Sequence, residues 1–497
     1  MHTNWKMFVF LIIFFYSVNI IFSSYILLPF QTENESDSFI QSKYDINLHT
    51  YLEIGEPKQK IKTYFRDEFF SFFILNNDTK YNEEELNITQ DSALKNTKNI
   101  NYLYNHKLSS TYKNISKYQN FFIDIYYRKG FLSSESFYFN SNNENNLKKF
   151  DNLDFVLVER IKPNRTLMSG VIGLLVDEYF LEGAQNFARM LVKQNVTKYC
   201  LWSKIYNDDN KGNFIFGDYP HEVYSYKFFK EQYIETDIKL NVYKQKWNLN
   251  FNEMFIEIKN NIFDEDYLSE NNSIDKYFYL NQTLYGELKH NLGLIIGSVE
   301  YQNLIEKTFF KYYIKKNICH KNKMLINDFN DEKVNYTFYS CKNDGSFKKQ
   351  NFPSLFLRQN GLNYIFELNQ KDLFVLDNNK WYFMIIFEGE EIADPIHKWM
   401  FGEPLLKKYN FVFDPINYKI GFYNPQIPMY IKKNNKKNNG NINTCNFRQI
   451  TSLIIFVLFL GIILSLLYNK LMKKILADKT NKQPYTELQN LNSQKFY

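Results

Sequence analysis

From Tyr51 to Phe65 the chain reads YLEIGEPKQKIKTYF, with apolar and polar positions alternating on either side of a Gly-x-Pro turn. That pattern predicts two strands joined by a tight connection. A further apolar segment, FSFFIL, follows at residues 70–75. Strand-like segments alternate with turn-rich stretches as far as about residue 425, and no internal repeat is evident at the residue level. Two longer apolar runs have a different character. Residues 7–22, MFVFLIIFFYSVNIIF, follow Lys6 and end at Ser23-Ser24, the charged start, apolar middle and small-residue exit of a secretory signal covering residues 1–24. An uncleaved anchor of similar length is the alternative, and either commits the chain to the secretory pathway. Residues 450–468, ITSLIIFVLFLGIILSLLY, are 19 residues without a charge, enough to cross about 30 Å of hydrocarbon as one helix.

Lysines flank that span on both sides, so local charge leaves its orientation open and the signal decides it. Residues 25–449 are then lumenal or extracellular and residues 469–497 form a cytosolic tail, a single-pass type I membrane topology at the cell surface or along the secretory pathway. The stretch KKNNKKNNGNINTCN, residues 432–446, has almost no apolar side chain and predicts an exposed stalk within residues 426–448. Sequons such as Asn77-Asp-Thr and Asn164-Arg-Thr fall in the lumenal part. In the tail, Tyr485-Thr-Glu-Leu488 has the form of a sorting signal read by a coat adaptor.

Composition sharpens the fold class. The 39 Tyr and 48 Phe favour half-buried strands over helices, because aromatic rings pack well on a pleated surface and lose rotamer freedom on a helix. An all-β protein of two folded units is expected from 497 residues, 44% of them hydrophobic. With only 17 Gly, many turns must be made by Asn or Asp, which tolerate left-handed backbone. The net charge of +6 comes from 60 basic and 54 acidic side chains spread along the chain, which gives no indication of a nucleic-acid partner. Cys200, Cys319, Cys341 and Cys445 lack any Cys-x-x-Cys spacing or His cluster. No metal site and no cofactor are expected, and any pairing is a disulfide.

Several short motifs follow one another in a recognisable order. The turn at Gly55-Glu-Pro57, the element Leu108-Ser-Ser-Thr-Tyr112, the hairpin IYYRKGFLSSESF (125–137), SGVIGLL (169–175), GNFIFGDYPHEVY (212–224) and WMFGEPLLKKYNFVFDPINYKIGFYNP (399–425) together resemble the pepsin family of aspartic proteases, peptidase family A1, over about residues 44–425. The resemblance implies a bilobal β fold with a central cleft, an N-terminal lobe over 44–220, a C-terminal lobe over 221–425, and a transmembrane helix over 449–468 beyond them. It places Tyr127 at the flap tyrosine and Gly130 at a flap glycine, an ordinary hairpin aromatic being the alternative for Tyr127. It puts Cys341 at a C-lobe cysteine whose usual downstream partner is absent, with Cys319 the nearest candidate. That pairing would close a loop of about 20 residues and constrain the unfolded chain by roughly 3 kcal/mol.

Proteolysis in this family needs two carboxylates that share one proton. Counting without a gap from Gly55-Glu-Pro57, the first catalytic position falls on Arg66, followed by Asp67, Glu68 and Phe69. Counting back from LIIGS (294–298), the second falls on Lys289, followed by His290, Asn291 and Leu292. A shift of register would promote Asp67 or Glu287, yet neither is followed by Thr-Gly. About 20 residues separate the signal from the first strand of the resemblance, too few for the family's usual basic pro-segment. Two readings of Arg66 and Lys289 stay open. They face an open cleft and capture an acidic side chain or chain terminus of a partner polypeptide, or the cleft has closed and they snorkel outward or pair with Asp67, Glu68 and Glu287. The seven histidines sit in unrelated contexts, which leaves a Ser-His-Asp site unsupported. The expectation is a catalytically inactive, pepsin-like binding or scaffolding module that holds a protein or peptide partner. A membrane-bound aspartic endopeptidase and a cargo receptor using the tail signal are the rivals.

Overall fold

The hairpin expected at residues 51–65 forms, with Leu52, Ile54, Ile61 and Phe65 buried and Tyr51, Lys58 and Lys60 towards solvent. Gly55 turns the corner at φ +81°, where a Cβ would stand 2.8 Å from Ser109 Oγ. The Leu108–Tyr112 element explains that closeness, because it clasps the turn: Glu56 N–H donates to Ser109 Oγ at 3.1 Å and Ser110 N–H to Glu56 O at 2.8 Å. The computed structural model describes residues 25–425 apart from 34–37, 68, 70, 82–102, 116–118, 123–126, 142–146, 162–168, 177–185, 209, 238–245, 258–276, 281–283, 328–332, 360, 363 and 390–397.

The described residues are mostly strand with few helices, in two large sheets. Strands β1 (Ile26–Glu33), β2 (Asn47–Ile54), β3 (Gln59–Arg66), β4 (Phe72–Tyr81), β5 (Lys113–Asn114), β6 (Gln119–Phe122), β7 (Tyr127–Ser141), β8 (Leu147–Ile161), β9 (Gly170–Gly173), β10 (Trp202–Tyr206), β11 (Lys211–Phe216) and β12 (Tyr233–Asp237) come first in the chain. They are followed by β13 (Asn248–Glu257), β14 (Tyr277–Leu280), β15 (Leu284–Leu288), β16 (Ile295–Gly297), β17 (Cys319–Asn327), β18 (Lys333–Lys342), β19 (Ser354–Gln359), β20 (Ile365–Leu368), β21 (Phe374–Asp377), β22 (Lys380–Phe383), β23 (Ile385–Glu388), β24 (Lys398–Phe401), β25 (Val412–Asp414) and β26 (Lys419–Tyr423). Among the described residues the α-helices of five or more residues are α1 (Phe39–Tyr44), α2 (Phe187–Lys193), α3 (Val299–Ile305), α4 (Lys311–Lys315) and α5 (Glu403–Tyr409), with a π-helical turn over Glu306–Phe310 between α3 and α4.

The first sheet runs β12-β26-β25-β10-β11-β1-β2-β3-β9-β4-β8-β7-β5, with β6 on β7. The second runs β20-β19-β13-β15-β24-β16-β23-β18-β22-β21, with β14 on β13 and β17 on β18. The last two strands, β25 and β26, therefore return to the first sheet and join the two halves of the chain. The folded part also begins before residue 44. β1 pairs with β11 from Ile26↔Phe216 to Gln31↔Lys211, and α1 lays Ile40 and Tyr44 on Leu292, Leu294, Ile296, Tyr336 and Ile386 of the second sheet.

Both sheets contain the same arrangement. In the first, β2 and β3 are antiparallel, β3 runs parallel to β9, β9 is antiparallel to β4, and β4 is parallel to β8. In the second, β13 and β15 are antiparallel, β15 runs parallel to β24, β24 is antiparallel to β16, and β16 is parallel to β23. This structural repeat has no counterpart in the residue sequence, since the two copies share only the need for buried apolar strands. Aromatic side chains close the junction between the sheets: Trp202 stacks on Phe413 at 4.4 Å, Trp247 meets Phe413 edge-on at 4.9 Å, and Trp247 Nε1–H donates to Leu174 O at 2.6 Å. Six of the seven described non-glycine residues with positive φ are asparagines, so Asn does supply left-handed turns in a glycine-poor chain.

Cys319 and Cys341 form a disulfide at the base of the β17–β18 hairpin, where they face one another in register. Cys200 is buried and takes no part in that disulfide. Among the described residues no helix is long and apolar enough to cross a membrane. Residues 1–24 and 426–497, where the signal, stalk, span and Tyr485–Leu488 are expected, lie outside the described residues.

Candidate functional site at the junction of the two sheets

The repeated arrangement brings two chain segments to equivalent places. β3 ends on Arg66 opposite Gly173, and β15 ends on Leu288 opposite Phe401, so the next residue, Lys289, follows the same register beside Gly402. Lys289 N–H donates to Phe401 O at 2.9 Å. A Cβ at Gly402 would lie 2.0 Å from Leu292 O, which is why this crossing needs glycine.

Arg66 and Lys289 do not snorkel outward. They are 6% and 5% exposed, and each has a carboxylate from its own neighbourhood. Arg66 donates through Nη1 to Asp45 Oδ1 and through Nη2 to Asn47 Oδ1, both at 2.7 Å. Lys289 Nζ lies 3.0 Å from Glu287 Oε1, and the same buried carboxyl receives Lys246 Nζ at 2.9 Å. The pairing of Lys289 with Glu287, part of one of the two readings left open, is present. Arg66 is ion-paired with Asp45, a residue of the segment before β2, while Asp67 turns to the opposite loop.

Asp67 is the hub between the two loops. Its Oδ1 accepts His290 Nδ1–H at 3.1 Å, its Oδ2 accepts Asn291 N–H at 2.9 Å, and its own N–H donates to Asn291 Oδ1 at 3.1 Å. Asn291 Nδ2–H2 donates to Ile46 O at 3.0 Å and Phe65 O at 2.9 Å. Burial alone would raise the Asp67 carboxyl, but His290, Lys289 and the Asn291 N–H hold it below the usual range. Burial pushes the His290 imidazole below its ordinary value, with Asp67 opposing, so His290 is a neutral donor between the rings of Trp202 and Phe413, each 4.8 Å away.

Beneath His290 lies a second buried cation. Lys204, on β10, donates from Nζ to His290 O at 3.1 Å and lies 3.5 Å from Glu403 Oε1. Burial pushes its ammonium down to about 8, against the opposing pull of Glu403 and Asp67. Tyr206 O–H also donates to Glu403. The junction thus sets four cations, Arg66, Lys204, Lys246 and Lys289, against four carboxylates, Asp45, Asp67, Glu287 and Glu403, with His290 neutral.

The segment before β2 seals this site from one side. Ile46 N–H donates to Asn291 O and Gly293 N–H to Lys43 O, both at 2.7 Å. Tyr44 O–H meets Tyr336 O–H at 3.0 Å, and the rings of Phe39 and Tyr382 lie 4.7 Å apart. Asp45, Asn47, His290, Asn291, Lys204 and Glu403 were not singled out from the sequence as working parts of the site. His290 and Asn291 had a signal, since they directly follow Lys289, whereas nothing in the composition of residues 39–47 marks them as partners of Arg66.

Gly130 is buried where β7 shifts register against β8, and a Cβ there would lie 2.4 Å from Leu157 O. Tyr127 opens β7 opposite Phe122, and its side chain lies outside the described residues. Among the described residues no group of three His, Cys, Asp or Glu side chains is placed to hold a metal.

A search of curated proteins finds no match. The family model described as eukaryotic aspartyl protease matches residues 49–424, a span containing both copies of the repeated sheet arrangement and both loops of the junction, and the chain belongs to that family.

Proposed function

We propose that this protein is a non-catalytic member of the aspartyl protease family, an interaction or scaffolding module presented on the lumenal side by a single-pass type I membrane protein. The observation that carries the reading is the pair of equivalent loop positions at Arg66 and Lys289. The family's chemistry asks those loops for two carboxylates close enough to share a proton, one polarising the scissile carbonyl while the other takes a proton from water. Here the positions carry cations, each neutralised by Asp45 or Glu287. Asp67, the nearest acid to Arg66 in sequence, is committed to His290 and Asn291. The covering segment supports the same reading, because a peptide approaching Arg66 would have to displace Asp45 and the backbone bonds of Lys43 and Ile46. The partner is then a polypeptide held by surface contacts rather than one cut in the cleft.

The test is a peptide-library cleavage assay on the purified protein from about pH 3.5 to 7.5, the range over which carboxylate dyads work, beside an Asp67→Asn/Glu287→Gln variant. No turnover by folded protein is the expected result. Cleavage that disappears in the double variant would make the protein an endopeptidase.

A further inference from the structure

The chain as a whole is nearly balanced, with 60 basic and 54 acidic residues, but one surface is not. From Lys307 to Lys323 the sequence KTFFKYYIKKNICHKNK carries six lysines and a histidine without one acid. These residues form one rigid feature. The inner side of α3, the π-helical turn and α4 is buried through Tyr301, Ile305, Phe309, Phe310 and Tyr313, and Phe310 stacks on Tyr339 of β18 at 4.2 Å. The Cys319–Cys341 disulfide fixes the strand that follows.

On the outer side Lys307, Lys311 and Lys315 are exposed at four-residue intervals. In an α-helix each such step advances about 6 Å along the axis and overshoots one turn by about 40°. The wider i→i+5 turn over Glu306–Phe310 takes back part of that overshoot and straightens the lysine row. Beside it, β17 presents Lys321, Lys323 and Leu325 on alternate positions of one face, Leu325 being 51% exposed. Lys321 reaches Glu306 at 2.7 Å, which ties the strand to the helix. Tyr312 stands among the lysines at 38% exposure, with Lys316 Nζ 4.3 Å from its ring centroid.

We propose that this surface, Lys307, Lys311, Lys315, Lys321 and Lys323 with Tyr312 and Leu325, docks an acidic segment of a partner polypeptide. The proposal rests on the reading of the protein as an interaction module and names the chemistry of its partner. Lysine steps of about 6 Å match the spacing of alternate side chains on an extended chain, about 6.6 Å. Complementary charge sets encounter rate and register, and the exposed aromatic and aliphatic side chains give a polypeptide apolar contacts that a bare anion does not use. A rigid, stapled surface loses little freedom on binding.

The experiment uses the full chain in detergent and a fluorescein-labelled alternating Glu-Ala peptide of about twelve residues, about 40 Å when extended, followed by anisotropy. Saturable binding is expected, weakened about tenfold or more by Lys307→Glu/Lys311→Glu/Lys315→Glu and falling with added salt. The same charge change at scattered exposed positions, Lys211→Glu/Lys371→Glu/Lys380→Glu, is expected to leave it nearly unchanged. No binding by the parent, or equal loss in both triple variants, overturns the proposal. Tighter binding of phosphatidylserine vesicles or of a heparin fragment than of the peptide also overturns it, in favour of a lipid or glycan partner. Turnover in the cleavage assay with peptide docking intact would sink the non-catalytic reading and leave this one standing.

Discussion

Asp67 and Asn291 exchange hydrogen bonds in both directions across the junction of the two sheets: the Asp67 N–H donates to Asn291 Oδ1 at 3.1 Å and the Asn291 N–H to Asp67 Oδ2 at 2.9 Å. Each residue belongs to a different copy of the repeated arrangement, so the pair fastens the two halves of the chain at their centre. Asn291 does more than its partner, because its amide also satisfies the carbonyls of Ile46 and Phe65.

Asn291→Ala would therefore leave the Asp67 N–H and the Phe65 carbonyl without this partner, while Ile46 O still accepts Leu48 N–H at 3.0 Å. At about 1–3 kcal/mol for each buried group left unsatisfied, a loss of about 2–6 kcal/mol is expected. Asn291→Asp should be no better, since it keeps the acceptor but sets a second carboxylate against Asp67 and two carbonyl oxygens. Denaturant midpoints measure both, and a loss below about 1 kcal/mol for the alanine variant would show that the junction is held elsewhere.

The His290–Asp67 pair gives stability a pH dependence of known sign. His290 titrates lower in the folded protein than its ordinary value of 6.5, so as pH falls below that value the unfolded chain takes up the proton first and stability declines. Asp67 also titrates below its ordinary 3.8. Its contribution is complete above that value and is lost as pH falls through the lower folded one. Stability should fall in two stages on acidification, and His290→Asn should reduce the upper stage and also shrink the lower, because His290 is foremost among the groups that hold Asp67 down. Unfolding curves at closely spaced pH values read this directly, and an unchanged upper slope in the variant would remove His290 from the account.

Lys204 acts at the other end of the scale. Its ammonium is lowered from 10.5 to about 8 by burial, so between those values the unfolded chain holds the proton that the folded one has released, and stability rises with pH. The rise should reach about 3 kcal/mol at most and be absent in Lys204→Met. The difference between the two pH profiles isolates this residue, and parallel profiles would refute it.

Glu287 and Lys289 should not be equivalent. Glu287 is 2% exposed and holds both Lys289 and Lys246, so Glu287→Met removes the carboxylate shared by two lysines, one of them buried. Lys289→Met leaves Glu287 paired with Lys246. Breaking a buried pair from the side that strands a charge costs about 3–5 kcal/mol, and the Glu287 variant is expected to lose that much against about half for Lys289→Met. The reverse order in thermal or denaturant unfolding would contradict the assignment.

What the sequence made legible depended on whether the signal was local. The hairpin at Tyr51–Phe65 showed itself by alternation, the Asn-rich turns by glycine scarcity, and the order of short motifs agreed with the family to which residues 49–424 belong. Cys341, placed by the family resemblance but lacking the usual downstream partner, is bonded to Cys319, its nearest candidate. The site was only half legible. Lys289 and Glu287 are two residues apart on neighbouring chain, and their pairing was among the alternatives left open, whereas Arg66–Asp45, Asp67–His290 and Lys204–Glu403 join segments 21, 223 and 199 residues apart and leave no mark on composition or spacing. The role of residues 26–46 was missed for a related reason. Ile40 and Tyr44 look like any short apolar stretch until the second sheet supplies the apolar face they cover.

That covering segment yields the most direct test of whether the junction is sealed. Ile40 is 1% exposed and packs with Tyr44 on Leu292, Leu294, Ile296, Tyr336 and Ile386, while the segment continues into the Asp45 carboxylate that neutralises Arg66. Ile40→Asp places a charge against that apolar face, where it has no place to be solvated unless α1 lifts away. Backbone amides of α1 and Ile46 should then exchange with deuterium at least about tenfold faster, reflecting local opening of about 1.4 kcal/mol or more. The strands of the second sheet should keep their protection, because their ladders do not depend on α1. If those strands lose protection together with α1, the segment is an integral layer of the fold rather than a cover, and a peptide could not reach Arg66 without unfolding the lobe.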